Sequence, residues 1–322
     1  MKRMDGKYSG IKIIAGNSNL ALAKEIAEYL EIQLCNAEVV RFSDGEISIN
    51  VNESVRGADV FIIQSTGTPV NENLMELLIL IDSMKRASAG RINAVMPYYG
   101  YARQDRKAKS RDPITAKLVA NLLTTAGADR VITMDLHSNQ IQGFFDIPLD
   151  HLSGSGLITE YYRDKNLENM VVVSPDAGSV KRSRKLARSL NCSFAIIDKE
   201  RPRPNETAVM NVIGDVKGKN CILIDDMIDT AGTITSGANA LVELGANSVF
   251  AACSHGVFSG PAIQRIQDSA IEELVTLNTL VIPKEKQIEK IKILSTGTLF
   301  GRAIDYVHFG RSLSKLFVGR YA

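Results

Sequence analysis

Short apolar runs alternate with amphipathic stretches along most of the chain. Near the start, "GIKIIAG" predicts a strand and "NLALAKEIAEYL" an amphipathic helix. "DVFIIQS" predicts the next strand, and "NENLMELLILIDSMKRA" the helix after it. "RINAVMPY" and "RVITMDL" read as further strands, separated by the helical "PITAKLVANLLTTAG". Past residue 150 the pattern resumes with the strands "MVVVSPD", "SFAIID", "CILIDD" and "SVFAACS" and the helices "VKRSRKLARSL" and "TITSGANALVELG". Strands alternating with helices mean βαβ units and mainly parallel sheets, so the expected class is α/β. Strands apolar on both faces belong in sheets covered by helices on both sides.

The two halves echo each other. "DVFIIQSTGTPVNENLMELLILID" and "CILIDDMIDTAGTITSGANALVEL" share an order of strand, Thr- and Gly-rich loop and long helix. Two similar α/β domains are expected, one over 1–149 and one over 150–305, with the C-terminal segment 306–322 joining the first. "DKERPRPNETAV" (198–209) has no periodicity and is dense in charge and proline. Such long connections are usually mobile or functional.

Composition narrows the class. Of 322 residues, 45% are apolar and 23% charged, the mixture of a soluble globular chain long enough for two domains. Lys and Arg number 38 against 36 Asp and Glu, so no nucleic-acid partner is expected. No apolar run approaches the roughly 18 residues that would suggest a membrane span. "MKRMDGKYSG" lacks the apolar core of a secretory signal. The four cysteines are far apart and form no CxxC. Free thiols in the reducing cytoplasm are the expectation.

The loop "DDMIDTAGT" follows an apolar strand, where ligands of open α/β sheets sit. Thr230 and Thr233 offer hydroxyls, Ala231 and Gly232 let backbone N–H groups approach an anion, and a helix N-terminus follows. The plainer alternative is a capped helix after a strand. That alternative explains the threonines and glycine but not Asp225 and Asp226 at the end of a buried strand. Carboxylates repel a phosphate unless they meet sugar hydroxyls or a cation. A ribose phosphate satisfies both halves of the loop.

"ILIDDMIDTAGT" resembles the phosphoribosyl-diphosphate loop shared by type I phosphoribosyltransferases and ribose-phosphate diphosphokinases. "RFSDGE", "YYGYARQDRK", "MDLHSNQIQGFFDIP", "SPDAGS" and "IDKERPRP" resemble the class I ribose-phosphate diphosphokinases in particular, in the family's order and over almost the whole chain. The resemblance implies two domains of the type I phosphoribosyltransferase kind. It also implies transfer of the diphosphate of Mg-ATP to the anomeric hydroxyl of ribose 5-phosphate, giving phosphoribosyl diphosphate and AMP.

Residue by residue, it implies that Lys199 and Arg201 are the catalytic cations, with Arg201 also touching ribose 5-phosphate. Phe42, Asp44, Gly45 and Glu46 match residues that read the adenine from a neighbouring subunit. Arg103, Gln104 and Asp105 match nucleotide contacts. His137 matches a ligand of the ATP-bound Mg2+, although Mg2+ prefers oxygen donors. Asp176 matches a second magnesium or ribose-phosphate site. Asp225, Asp226, Asp229, Thr230, Ala231, Gly232 and Thr233 take ribose 5-phosphate. Ser312 and Ser314, in "SLSKLF", match residues binding regulatory phosphate or ADP. His151, His255 and His308 are read as structural.

Two departures stand out: Gly178-Ser179 where the family often has Gly-Gly, and Lys315 in place of a tyrosine. Serine would be costly at 179 if the backbone there needed positive φ. The family also implies a homohexamer built from dimers, because the ATP site is shared between subunits. One rival is a phosphoribosyltransferase, which lacks "FSDGE" and "YARQDRK". The other is a non-catalytic relative of the synthetases, in which the motifs kept here would be eroded.

Overall fold

The computed structural model describes residues 8–200 and 209–316. In chain order the first part comprises β1 (Ile11–Ala15), α1 (Leu20–Tyr29), β2 (Ala37–Arg41), β3 (Ile47–Val51), β4 (Asp59–Ile63), α2 (Val70–Arg86), β5 (Arg91–Met96), α3 (Thr115–Ala126), β6 (Arg130–Met134) and β7 (Leu149–Leu152). Then follow α4 (Ser155–Asp164), β8 (Met170–Ser174), α5 (Val180–Leu190), β9 (Ser193–Glu200), β10 (Val209–Ile213), β11 (Asn220–Ile228), α6 (Gly232–Glu243), β12 (Ser248–Gly256), α7 (Ala262–Asp268), β13 (Ile271–Leu277), β14 (Ile291–Leu294) and α8 (Gly297–His308).

Two compact units result. The first runs up to Ser153 and takes in Thr279–Val281 and the chain from Ser295; the second holds Gly154–Asn278 and Ile282–Leu294. The first unit has a parallel sheet in the order β1-β4-β5-β6-β7. Leu34 adds a single parallel bridge to Ile13 on the far side of β1. The second unit has the order β10-β9-β8-β11-β12-β13-β14, parallel except where β10 runs against β9. Both units therefore follow one plan. A strand and helix lead to a neighbour on one side, an antiparallel ribbon intervenes, and the remaining strands build out on the other side. The echo between "DVFIIQST" and "CILIDDMI" is this plan, with β4–α2 in the place of β11–α6.

The apolar runs became strands because both faces are covered. Every residue of β4 and of β12 is buried, as expected for parallel strands under helices. The helices are amphipathic: α2 buries Asn73, Glu76, Leu77, Leu80, Ile81 and Met84, a stripe spaced by three and four. Helix α5 stops at Asn191, whose φ of 53° is tolerated by asparagine better than by most residues.

Residue 149 opens β7 and residue 306 falls inside α8, so neither is a break in the regular structure. The whole of α8 belongs to the first unit. It lies against α1 through glycines: an added Cβ at Gly297 would come within 2.6 Å of the Cβ of Glu25, and one at Gly301 within 2.4 Å of Tyr29. A buried charge cluster ties its end to the sheet. Asp59 is fully buried and accepts from Arg91 Nε at 2.8 Å and Asn93 Nδ2 at 2.8 Å, and its other oxygen lies 2.9 Å from His308 Nδ1. Burial pulls the Asp59 carboxyl upward, but His308, Arg91 and Asn93 together hold it below the usual carboxylate value. Arg91 also donates to the Val307 carbonyl at 3.2 Å. The return was expected only from residue 306; its earlier start at Ser295 and its partners, more than 200 residues away, are not visible in the local pattern.

Candidate active site

In the second unit the sheet order reverses between β8 and β11, since β8 leads outward to β9 while β11 leads to β12 on the other side. That is the switch point at which α/β sheets bind ligands. Asp176 follows β8. Asp225 and Asp226 lie on β11, and Asp229 to Thr233 follow it. The acids do not end their strand, as the sequence suggested. β11 continues through Ile228, paired with β12, but its pairing with β8 stops at Leu223. The carboxylates thus emerge where one neighbour has ended.

Asp226 is buried, and the Asp225 side chain keeps 22% of its exposure. Arg182, in the first turn of α5, lies 3.0 Å from Asp226 Oδ1 and 3.7 Å from Asp225 Oδ1. Its Nη1 is buried and makes no aligned hydrogen bond, so the attraction is ionic. Ser179 Oγ donates to Asp225 Oδ1 at 2.7 Å, and the Asp226 N–H donates to the same oxygen at 2.8 Å. Burial pushes Asp225 up to about 8; the neighbouring Asp226 charge adds to the rise, and Ser179 and Arg182 oppose it. Two carboxyls this close release their protons as a pair.

The loop after β11 is a phosphate cradle in shape. Ala231 holds φ at 60°, a left-handed conformation that costs an alanine about 1–2 kcal/mol. Such a residue ahead of a helix sets successive N–H groups in a concave nest, and the first N–H groups of α6 have no partner within the helix. The segment after β12 braces the loop. Ser259 donates to Asp229, the Ser259 N–H donates to the Asp229 carbonyl at 3.0 Å, and Arg265 Nη1 donates to the Thr230 carbonyl at 3.0 Å. A Cβ on Gly232 would come within 3.3 Å of that same nitrogen. Thr230 and Thr233 are exposed. Sequence reading passed over Ser259, Arg265 and Arg182. No local motif marks them, and their pairing depends on which strands are neighbours.

The first unit has the same switch point between β1 and β4, and there it is filled. Gln64 and Glu76 are buried to 0% and 1% exposure. Glu76 accepts from the Asn17 N–H at 2.6 Å and from Gln64 Nε2 at 2.9 Å; Gln64 Oε1 accepts from Ser18 Oγ at 2.7 Å. A Cβ on Gly16 would come within 2.2 Å of Gln64 Oε1. The counterpart of the carboxylate loop is thus a closed hydrogen-bonded plug.

The first unit's motif residues lie elsewhere. Phe42 to Glu46 close the β2–β3 ribbon as a hairpin turn. The Phe42 N–H donates to the Glu46 carbonyl at 2.8 Å, the Glu46 N–H to Asp44 Oδ1 at 3.1 Å, and Gly45 takes φ of 95°. Phe42 is 57% exposed. Asn17 Nδ2 donates to the Val39 carbonyl, and Arg41 pairs with Glu72 at 2.6 Å; these contacts link the ribbon to the helices. Arg103, Gln104 and Asp105 lie in the turns between β5 and α3. There the Gln104 N–H donates to the Tyr101 carbonyl at 2.9 Å, and Thr115 bonds the Gln104 side chain. His137 lies three residues past the end of β6 and is exposed. His151 Nε2 accepts from the Leu136 N–H at 2.9 Å, in keeping with a structural histidine.

On β9, Lys199 has its backbone paired with Met210. Arg201 lies outside the described residues. β9 pairs with β8 only as far as Ile196, so Ile197 to Glu200 and their β10 partners form a two-stranded ribbon. Ser312 and Ser314 are exposed, with hydroxyls 2.8 Å apart. Ser179 has φ of −91°, so nothing in its backbone calls for glycine.

Among the described residues no group of three or more His, Cys, Asp or Glu is placed to hold a metal. Magnesium binds through one or two carboxylates and fills its other positions with water and substrate phosphates. Asp176, an oxygen donor at a strand end, suits an ion that arrives with a phosphorylated substrate.

Comparison with known proteins identifies the family. Residues 11–127 match the N-terminal domain of ribose phosphate pyrophosphokinase, and residues 199–318 the phosphoribosyl synthetase-associated domain. The chain is 63% identical over 310 residues to a ribose-phosphate pyrophosphokinase of Clostridium tetani, covering 95% of this chain and 97% of that one. It is 61% identical over 316 residues to that of Bacillus subtilis, covering 98% and 100%. A crystal structure of phosphoribosylpyrophosphate synthetase from Mycobacterium smegmatis superposes with a TM-score of 0.90 at 45% identity, covering 94% of this chain and all of that one. Matches of this identity along nearly the full length of both chains place the protein in one family: the chain belongs to the ribose-phosphate pyrophosphokinases.

Proposed function

We propose that the chain transfers the diphosphate of ATP to the anomeric hydroxyl of ribose 5-phosphate, forming 5-phosphoribosyl 1-diphosphate and AMP. The observation that carries this reading is the second unit's switch point, where a carboxylate pair, one member buried and the other half-buried, stands beside a phosphate nest. The nest takes the 5-phosphate on the N–H groups from Ala231 to Thr233, with Thr230 and Thr233 adding hydroxyls and Asp229 held by Ser259. Asp225 and Asp226 accept from the ring hydroxyls. The sugar oxygen at C1 attacks the β-phosphorus, the bond from that phosphorus to the α–β bridging oxygen breaks, and AMP departs. Charge builds on the transferring group, and Lys199 and Arg201 supply the cations that stabilise it. Arg201 also reaches the sugar phosphate.

Nucleotide binding falls to the first unit's motifs. Phe42 stacks on the adenine, and Asp44, Gly45 and Glu46 read its polar edge from a neighbouring subunit. Arg103, Gln104 and Asp105 hold the nucleotide. His137 is assigned to the magnesium of the nucleotide and Asp176 to a second ion; when bound, magnesium neutralises phosphate charge. The working assembly is a homohexamer built from dimers, with phosphate and ADP as regulators at Ser312 and Ser314. The setting is the cytoplasm. The four thiols are free, and no helix among the described residues is long and apolar enough to cross a membrane.

The test uses the titration of the acid pair. A ring hydroxyl donates best to an ionised carboxylate, and the pair stays partly protonated below about pH 8. Affinity for ribose 5-phosphate is therefore expected to rise about ten-fold between about pH 7 and pH 9, as the proton is lost. Asp225→Asn should bind weakly with little pH dependence. Calorimetry across that range, with inorganic phosphate as the control for the nest alone, checks it. A pH-independent affinity in the parent would remove the acids from the sugar site.

A further inference from the structure

Ser179 has an ordinary helical backbone and a buried side chain, with 6% of the residue exposed. Two hydrogen bonds fix its place between the carboxylates. Its N–H donates to Asp176 Oδ1 at 3.0 Å, and its hydroxyl donates to Asp225 Oδ1 at 2.7 Å. Its carbonyl accepts from Ser183 Oγ at 2.9 Å, which anchors the residue to the first turn of α5. The Asp226 N–H and Arg182 Nη1 approach the same Oδ1 of Asp225. Two donors on one oxygen, with the guanidinium charge nearby, fix the carboxylate plane.

We propose that Ser179 is a positioning residue for sugar recognition: its hydroxyl holds the Asp225 carboxylate in the orientation that accepts from one of the vicinal hydroxyls of a pentose phosphate. This rests on the reading of the Asp225–Asp226 pair as the sugar site and adds to it the group that sets the pair's geometry. Without the hydroxyl, the carboxylate keeps the backbone N–H and a more distant guanidinium but loses its closest donor, and it rotates more freely. The loss falls on ground-state binding of the sugar, because Ser179 touches no reacting atom.

The experiment measures calorimetric affinities of the full chain for ribose 5-phosphate, 2-deoxyribose 5-phosphate, 3-deoxyribose 5-phosphate and inorganic phosphate, in the parent and in Ser179→Ala, Ser179→Gly and Ser179→Thr. The parent is expected to bind ribose 5-phosphate more tightly than at least one deoxy sugar. Ser179→Ala and Ser179→Gly should lose about ten-fold for ribose 5-phosphate, the scale of one hydrogen bond to a charged group. Both should also lose that discrimination while binding inorganic phosphate as before. Ser179→Thr should restore it. In steady-state assays the Michaelis constant for ribose 5-phosphate rises and kcat stays within a few-fold. If the alanine and glycine variants keep the parent's full discrimination, Ser179 does not position the acid. If the parent itself binds ribose 5-phosphate no better than inorganic phosphate, the sugar reading fails, and the proposal with it.

Discussion

Replacing Lys199 with alanine is expected to lower turnover ~10²–10³-fold, the usual loss when one preorganised transition-state donor is removed, while the Michaelis constants stay within a few-fold. As the sugar oxygen displaces AMP at the β-phosphorus, negative charge spreads over the transferring group. A compact ammonium that meets that charge as it develops stabilises the transition state more than the ground state. Lys199 lies on the β9–β10 ribbon past the point where β9 leaves β8, so its position is set by a paired strand rather than by a free loop. Lys199→Arg should recover part of the rate. Steady-state kinetics, with unfolding midpoints matched between variants, measures the effect. Turnover within a few-fold of the parent in Lys199→Ala would take the catalytic role away from this residue.

A second large effect is expected from mixing. One variant carries Asp44→Ala and Glu46→Ala, and the other Lys199→Ala and Arg201→Ala; each alone should be nearly inactive. If the β2–β3 ribbon serves a neighbouring chain, a mixed oligomer contains sites that draw an intact ribbon from one chain and intact cations from another. With equal ratios and free mixing, each choice succeeds about half the time, so about a quarter of the sites regain both elements in a closed symmetric oligomer. The turn from Phe42 to Glu46 suits this role, with a largely exposed aromatic ring on a two-stranded ribbon. Co-expression with different tags and purification of the mixed species provides the sample. Activity no greater than the sum of the parents would place the nucleotide site within one chain.

Much of the second unit's site was legible because its chemistry is local. Asp225 to Thr233 form one continuous stretch, and a strand, paired acids, a small-residue turn and a helix start are each visible in the letters. What could not be read was long-range. The ionic contact of Arg182 and the hydrogen bond of Ser179 with Asp225 exist only because β8 and β11 are neighbours, and Ser259 and Arg265 reach the loop from beyond the next strand. The strand length was misjudged for a related reason: an acid pair looks like a strand end, but β12 continues to pair past it. In the first unit the repeated plan was visible in "DVFIIQST", while the plug of Gln64, Glu76 and Asn17 was not. Polar residues at a strand end look alike whether they await a ligand or satisfy one another. The C-terminal return was half seen, because α8 is fixed by Asp59 and by glycine contacts to α1 that no periodicity reveals.

The central claim is that a diphosphate moves as one unit from ATP to C1 of ribose 5-phosphate. The direct measurement is phosphorus NMR of the purified protein with ATP, ribose 5-phosphate and magnesium, following all nucleotide products. The account predicts AMP and 5-phosphoribosyl 1-diphosphate appearing in equal amounts, with neither ADP nor free diphosphate as a primary product. ADP formed in step with a phosphorylated sugar, or no reaction of ATP until a base and phosphoribosyl diphosphate are supplied, would contradict it.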